Sequence, residues 1–105
     1  MYRINNKKWN IAFVEPYNNI LKRSDNSFTV GVCDNNMQTI YIADNLQGGF
    51  LRKVLLHEVT HSAIFSYGID MSVEQEEMFC DFLATYGDEI IDAVDNIFKV
   101  LVEVA

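Results

Sequence analysis

Residues 38–68 read QTIYIADNLQGGFLRKVLLHEVTHSAIFSYG, and the hydrophobic period changes inside them. Up to Ile42 the side chains alternate, Gln38, Ile40 and Ile42 against Thr39 and Tyr41, as the buried and exposed faces of a strand do. From Leu46 to about Tyr67 the apolar positions Leu51, Val54, Leu55, Val59 and Ile64 recur at helical spacing. Asp44 or Asn45 is placed to cap the start of that helix, and Gly68 follows its end.

The flanking sequence follows the same switch. Upstream, Phe28–Cys33 is a second β-prone run, separated from Gln38–Ile42 by Asp34, Asn35 and Asn36, whose short side chains tolerate the positive φ of a hairpin turn. Trp9–Val14 is another short strand, ended by Pro16 and placed at a sheet edge, and residues 17–27 read as a loop or one irregular helical turn. Downstream, Ser72 and Gln75 form a capping-box pattern opening a helix through about Tyr86, closed near Gly87. Asp88 and Glu89 suit the first turn of a third helix, with Ile90, Ile91, Val94, Ile97, Phe98 and Leu101 as its apolar stripe. Strands first and helices afterwards make an α+β domain, a short antiparallel sheet packed on the 46–67 helix with two further helices behind.

A chain of 105 residues, half of them hydrophobic, buries one core, so residues 1–105 are read as a single domain. The net charge of −7 is unevenly spread, with ten acids against Lys99 alone in residues 70–105. An acidic chain without a Lys/Arg stripe argues against a nucleic-acid partner, and the asymmetry is read as internal complementarity plus a solvated acidic helix face. Nothing approaches 18 consecutive apolar residues, and no apolar core follows the charges of the N-terminus, so no membrane association is expected. Two cysteines, Cys33 and Cys80, make no disulfide framework; the expected compartment is the cytoplasm, with both thiols reduced.

The chemistry is concentrated in His57-Glu58-Val59-Thr60-His61, which holds both histidines of the chain. Residues i and i+4 share one helix face, so both imidazoles can aim at a common point, while Glu58 reaches the same region from the side. That arrangement suits zinc held by two imidazoles and a water, with a carboxylate that binds no metal but takes the water's proton. Glu58 is the expected catalytic base. An H-E-x-x-H pattern arises by chance in a chain of this length at a frequency on the order of 10⁻³.

A third protein ligand is required, and no histidine remains to supply it. On a wheel of the segment EQEEMFCDFLA, Glu74, Cys80, Asp81 and Ala84 fall within roughly 60° of Glu77, with Phe79, Phe82, Leu83 and Tyr86 on the far side. The small, carboxylate-bearing face lets two helices approach closely. Glu77 is the expected ligand and Asp81, one turn on, the acceptor for the free N–H of a ligating histidine. Glu74 is the rival ligand and Cys80 or Cys33 the thiolate alternatives, while Glu76 is left in solvent.

These residues resemble the gluzincin zinc metallopeptidases, in which HExxH is completed by a glutamate on a later helix, often as E-x-x-x-D; here that is Glu77-Met-Phe-Cys-Asp81. Within that group residues 28–86 look most like the small ImmA/IrrE-type metallopeptidases of phages and mobile elements, including Leu83-Ala84 after Asp81 and Gly31, Asp34 and Ile40-Tyr41-Ile42 before the helix. The 105 residues include no helix-turn-helix segment, and the gap from His61 to Glu77 is short. The resemblance implies a minimal zincin with His57, His61 and Glu77 on Zn²⁺ and Glu58 as base, an endopeptidase acting on a protein or peptide substrate such as a repressor or another regulatory protein. Gln38–Ile42 is expected to border the cleft and take up the substrate as an added strand. Tyr86, Tyr67 and Tyr41 are the candidates for an oxyanion donor. Two other classes remain: a catalytically inactive zincin-like module that binds zinc or a protein, and a small toxin or inhibitor in which HEVTH is incidental.

Overall fold

A computed structural model describes residues 1–104. Its elements are strands β1 (Tyr2–Ile4), β2 (Lys7–Val14), β3 (Gly31–Asp34) and β4 (Thr39–Ala43), then helices α1 (Gly48–Ser66) and α2 (Val73–Val104), with one 3₁₀ turn at Asn19–Leu21. The class is α+β as expected, but the sheet is mixed. Its order is β1-β2-β4-β3, with β1–β2 and β3–β4 antiparallel and β2–β4 parallel.

The expected hairpin forms, and its second strand inserts beside β2 in the register Ile11↔Ile40 and Phe13↔Ile42. Burial decides which strand goes inside. Ile40 and Ile42 are fully buried and Ala43 nearly so, while β3 is a four-residue strand beginning at a glycine and ending at an aspartate. The turn is tied by Asp34 Oδ1, which accepts the backbone N–H groups of Asn36 (2.9 Å) and Met37 (3.2 Å), and its positive φ falls at Gln38 rather than at the asparagines. Strand β2 is not at an edge. Pro16 lies beyond its last pair, Val14↔Ala43, so the missing N–H costs the ladder nothing.

Sequence periodicity did not single out β1. It is joined to β2 by Asn5-Asn6, both at positive φ (48° and 62°), the two-residue turn whose twist matches paired strands. This hairpin clamps α1. Tyr2 Oη donates to Ser62 Oγ at 2.8 Å, Trp9 Nε1 to Ser66 Oγ at 2.8 Å, and Asn5 Nδ2 to the Ser66 carbonyl at 2.9 Å. Trp9, Ile40, Ile42 and Val54 form the centre of the core between sheet and helix.

Helix α1 starts at Gly48 after Gln47, which makes no side-chain cap; Asp44, expected as a cap, instead extends the parallel pairing by donating its N–H to the Val14 carbonyl. Its end is as read. Gly68 takes a φ of +62°, and Ile69 N–H returns to the Ile64 carbonyl at 3.1 Å, closing the helix with a left-handed residue. The reciprocal Ser72–Gln75 capping box opens α2, both bonds at 3.1 Å.

The two expected C-terminal helices are one helix of 32 residues. A glycine ends a helix by adopting positive φ, and Gly87 does not. It is buried inside the helix facing α1, where an added Cβ would lie 3.4 Å from Leu83 and 3.6 Å from Leu56, at ordinary contact distance. No described helix is long and apolar enough to cross a membrane.

Candidate metal centre

Helix α1 lies between the sheet and α2, and an open cleft of about 310 Å³ runs over it between strand β3 and the first turns of α2. His57, Glu58 and His61 form its floor, Gly31, Val32 and Cys33 one wall, and Glu76 and Glu77 the other. The antiparallel course of the two helices sets the pairing: going up α1 from His57 to His61 corresponds to going down α2 from Asp81 to Glu77 and Glu76.

The structure brings His57, His61 and Glu77 together, with one ligand atom of each lying within 4.8 Å of the others. His61 Nε2 is 3.0 Å from Glu77 Oε1, His57 Nε2 is 3.4 Å from Glu77 Oε2, and the two Nε2 atoms are 3.2 Å apart. The opposite ring nitrogens face carboxylates: His57 Nδ1 is 2.9 Å from Asp81 Oδ1, and His61 Nδ1 is 2.6 Å from Glu76 Oε2. With Nδ1 of each ring donating to its outer carboxylate, the neutral form of the ring turns an Nε2 lone pair inward. Two lone pairs and a carboxylate then converge with no donor between them. A cation relieves that crowding of acceptors, and two imidazole nitrogens with one carboxylate are a donor set suited to zinc with a position left open.

Asp81 sits where it was expected, against the outer nitrogen of His57. Glu76 does not: it is turned to His61, its side chain 17% exposed, rather than left in solvent. A wheel centred on Glu77 misses it because it treats α2 alone. The signal was on α1, where His61, like His57, needs a partner for its outer nitrogen, and the antiparallel helix offers 76 or 77 there.

Glu74 is exposed and outside the cluster. Cys80 is fully buried, and burial, reinforced by Glu76 and Glu77, pushes its thiol up to about 12; burial raises the Cys33 thiol as well, so both are protonated thiols at neutral pH. Glu58 is 7% exposed, and burial raises its carboxyl to about 7, His61 pulling it down and Glu77 pushing it up. Gly31 explains how β3 comes so near: a Cβ there would lie 2.9 Å from both Glu58 Oε2 and Val54 Cγ1.

Two expectations about the cleft are corrected. Strand β4 is internal, so Gln38–Ile42 cannot accept an added strand; the edge beside the cleft is β3. None of Tyr41, Tyr67 and Tyr86 lines the cleft, and Tyr86 packs at a tilt against Phe82 on the exposed side of α2. Arg23 does line it, bonded through Nη2 to Thr29 Oγ1 at 3.3 Å in a loop closed by the Lys22–Phe28 bridge and anchored by fully buried Leu21.

Compared with protein-family models, with curated proteins and with solved structures, the chain matches none.

Proposed function

We propose that this protein is a small zinc-dependent peptidase of the gluzincin kind, with His57, His61 and Glu77 holding the metal and Glu58 acting as general base. One observation carries the reading: two inward imidazole nitrogens and the Glu77 carboxylate converge beside a buried carboxylate that holds its proton near neutral pH. Zinc, when bound, supplies a Lewis acid that activates water and polarises the carbonyl under attack.

Glu58 is placed to take a proton from the attacking water and pass it to the leaving nitrogen. Asp81 and Glu76 hold the imidazoles by their outer nitrogens, fixing ring orientation and raising ligand basicity. Strand β3, at the sheet edge, offers backbone groups to an extended segment of a protein substrate. Arg23 and Thr29 line the cleft on the strand side and supply donors for a substrate oxygen, a role given to tyrosine or histidine in larger peptidases. The substrate class is an exposed, extended stretch of another protein, of which a cytoplasmic regulatory protein is the instance the resemblance suggests.

Elemental analysis of untagged protein tests the site. One zinc per chain, lost in His57→Ala and weakened in Glu77→Ala, is expected, followed by peptide hydrolysis that Glu58→Gln abolishes while zinc is retained. Failure to take up zinc on titration removes the reading altogether. Bound zinc with no hydrolysis of any of a broad set of unfolded proteins replaces it with the inactive binding module.

A further inference from the structure

The most conspicuous feature outside the cleft is the surface of α2. Ties between the helices end with Leu56 against Gly87 and a bidentate Arg52–Asp88 pair with bonds of 2.7 and 2.8 Å. Beyond Asp88 every residue to Glu103 is exposed, including Ile97 at 60%, Phe98 at 65% and Leu101 at 57%. This overhang contributes to a long axis of 55 Å, against 30 and 27 Å across.

The exposed apolar surface also reaches back along the body. Phe79, Phe82 and Tyr86, expected as a bulky apolar face, are about half exposed, whereas the small face carrying Cys80 and Gly87 is buried. At 100° per residue, Phe79, Phe82, Tyr86, Ile90, Ala93, Ile97 and Leu101 stay inside an arc roughly 100° wide. Twenty-two residues separate its ends, about 33 Å of helix. A shallow apolar groove lies at each end, one lined by Met71, Gln75, Met78, Phe79 and Phe82, the other by Asn96, Ile97, Val100 and Leu101.

We infer that this stripe is the interface of a homodimer in which two α2 helices pack antiparallel about a two-fold axis at Ile90. Ile90 is the midpoint between Phe79 and Leu101, so the rotation lays the apolar surface at one end of each helix against that at the other end of its mate. An isologous pair sets one patch against its own copy, and the two-fold covers both ends of the stripe in this way, leaving Ile91, Phe98 and Val102 on the neighbouring face. At roughly 100 Å² exposed per large side chain, the six of the stripe with flanking Met78, Val94 and Val100 offer on the order of 900 Å² per copy. That matches the ~800 Å² per partner of a stable interface and exceeds the apolar patch an isolated monomer commonly shows.

Charge agrees with the pairing. Asp88, Asp92, Asp95, Lys99 and Glu103 lie on the opposite arc of the same helix and stay in water, and Glu89, at the rim of the stripe beside the two-fold, is the one acid brought near its own copy. Glu77 and Asp81 are on that outer arc too, which leaves both clefts open. The inference is therefore independent of the metal reading.

The test is sedimentation of the full chain across 1–100 µM, beside Ile97→Glu, Phe82→Glu and Lys99→Glu. Expected is a species of twice 12.1 kDa, dissociated at least ~30-fold more readily in the first two variants and unchanged in the third. Helicity by circular dichroism, the same in all, separates lost pairing from lost folding. Orientation is read by oxidative cross-linking against the unsubstituted chain: Ile90→Cys joins two copies and Leu101→Cys does not. A monomer at 100 µM, a dimer indifferent to both glutamates, any other stoichiometry, or cross-linking through position 101 overturns the proposal.

Discussion

Replacing Glu58 by glutamine in metal-free protein is expected to stabilise the fold, and the gain is expected to depend on pH. The carboxyl titrates at about 7 in the folded chain and near 4.5 when free, chiefly because burial penalises the charge. Between those values the native state keeps a proton that the unfolded chain has released, so stability contributed by Glu58 falls as pH rises through this window and stays low above it. At about 1.4 kcal/mol per decade of proton affinity, the full loss is about 3 kcal/mol. The amide remains neutral throughout and escapes the loss. Urea denaturation in the presence of a chelator, at pH 4.5 and pH 8, reads it directly. With a slope of about 1.5 kcal/mol per molar, the variant's midpoint should exceed that of the parent by about 2 M at pH 8 and nearly coincide with it at pH 4.5. Equal midpoints at both pH values, or a parent favoured at pH 8, would refute the claim that this carboxylate is held ionised at a cost. A residue that weakens its own fold is one whose retention calls for a functional reason, which is how the experiment bears on catalysis without measuring it.

The remaining predictions concern the surroundings of the cluster. Glu76→Gln should weaken zinc binding about 10- to 100-fold in a competition titration with a chromophoric chelator, and Asp81→Asn less, because the Glu76 side chain is 17% exposed and that of Asp81 71%. Gly31→Ala should cost about 1–3 kcal/mol in denaturant titration, since its Cβ would press on Val54 and Glu58 at 2.9 Å, whereas Gly87→Ala, with its nearest contacts at 3.4–3.6 Å, should gain up to about 1 kcal/mol from helix propensity.

Local chemistry was legible in the sequence, and assembly less so. The Ser72–Gln75 box, the Gly68 stop and the Ile40/Ile42 alternation each depend on residues within a few positions of one another, and all three appear in the fold. What escaped depends on distant pairing. Which hairpin strand docks on β2 is settled by the burial of Ile40 and Ile42 against α1, so the sheet came out mixed and β3 rather than β4 borders the cleft. Gly87 looks like a stop in the sequence because its neighbour across the helix pair, Leu56, is 31 residues away. The same limit hid Glu76, whose role exists only once α2 lies antiparallel to α1.

The N-terminal clamp on α1 bears on the order in which this molecule can assemble. Tyr2 and Trp9 reach Ser62 and Ser66 across 60 and 57 residues, and the parallel β2–β4 ladder also closes a long loop, so both wait on slow, entropically costly encounters. The imidazoles and carboxylates of the cleft are 15 to 24 residues apart on two neighbouring helices. A helical hairpin bearing the cluster is therefore the unit expected to form first, and the sheet then closes over a centre whose side chains have already met.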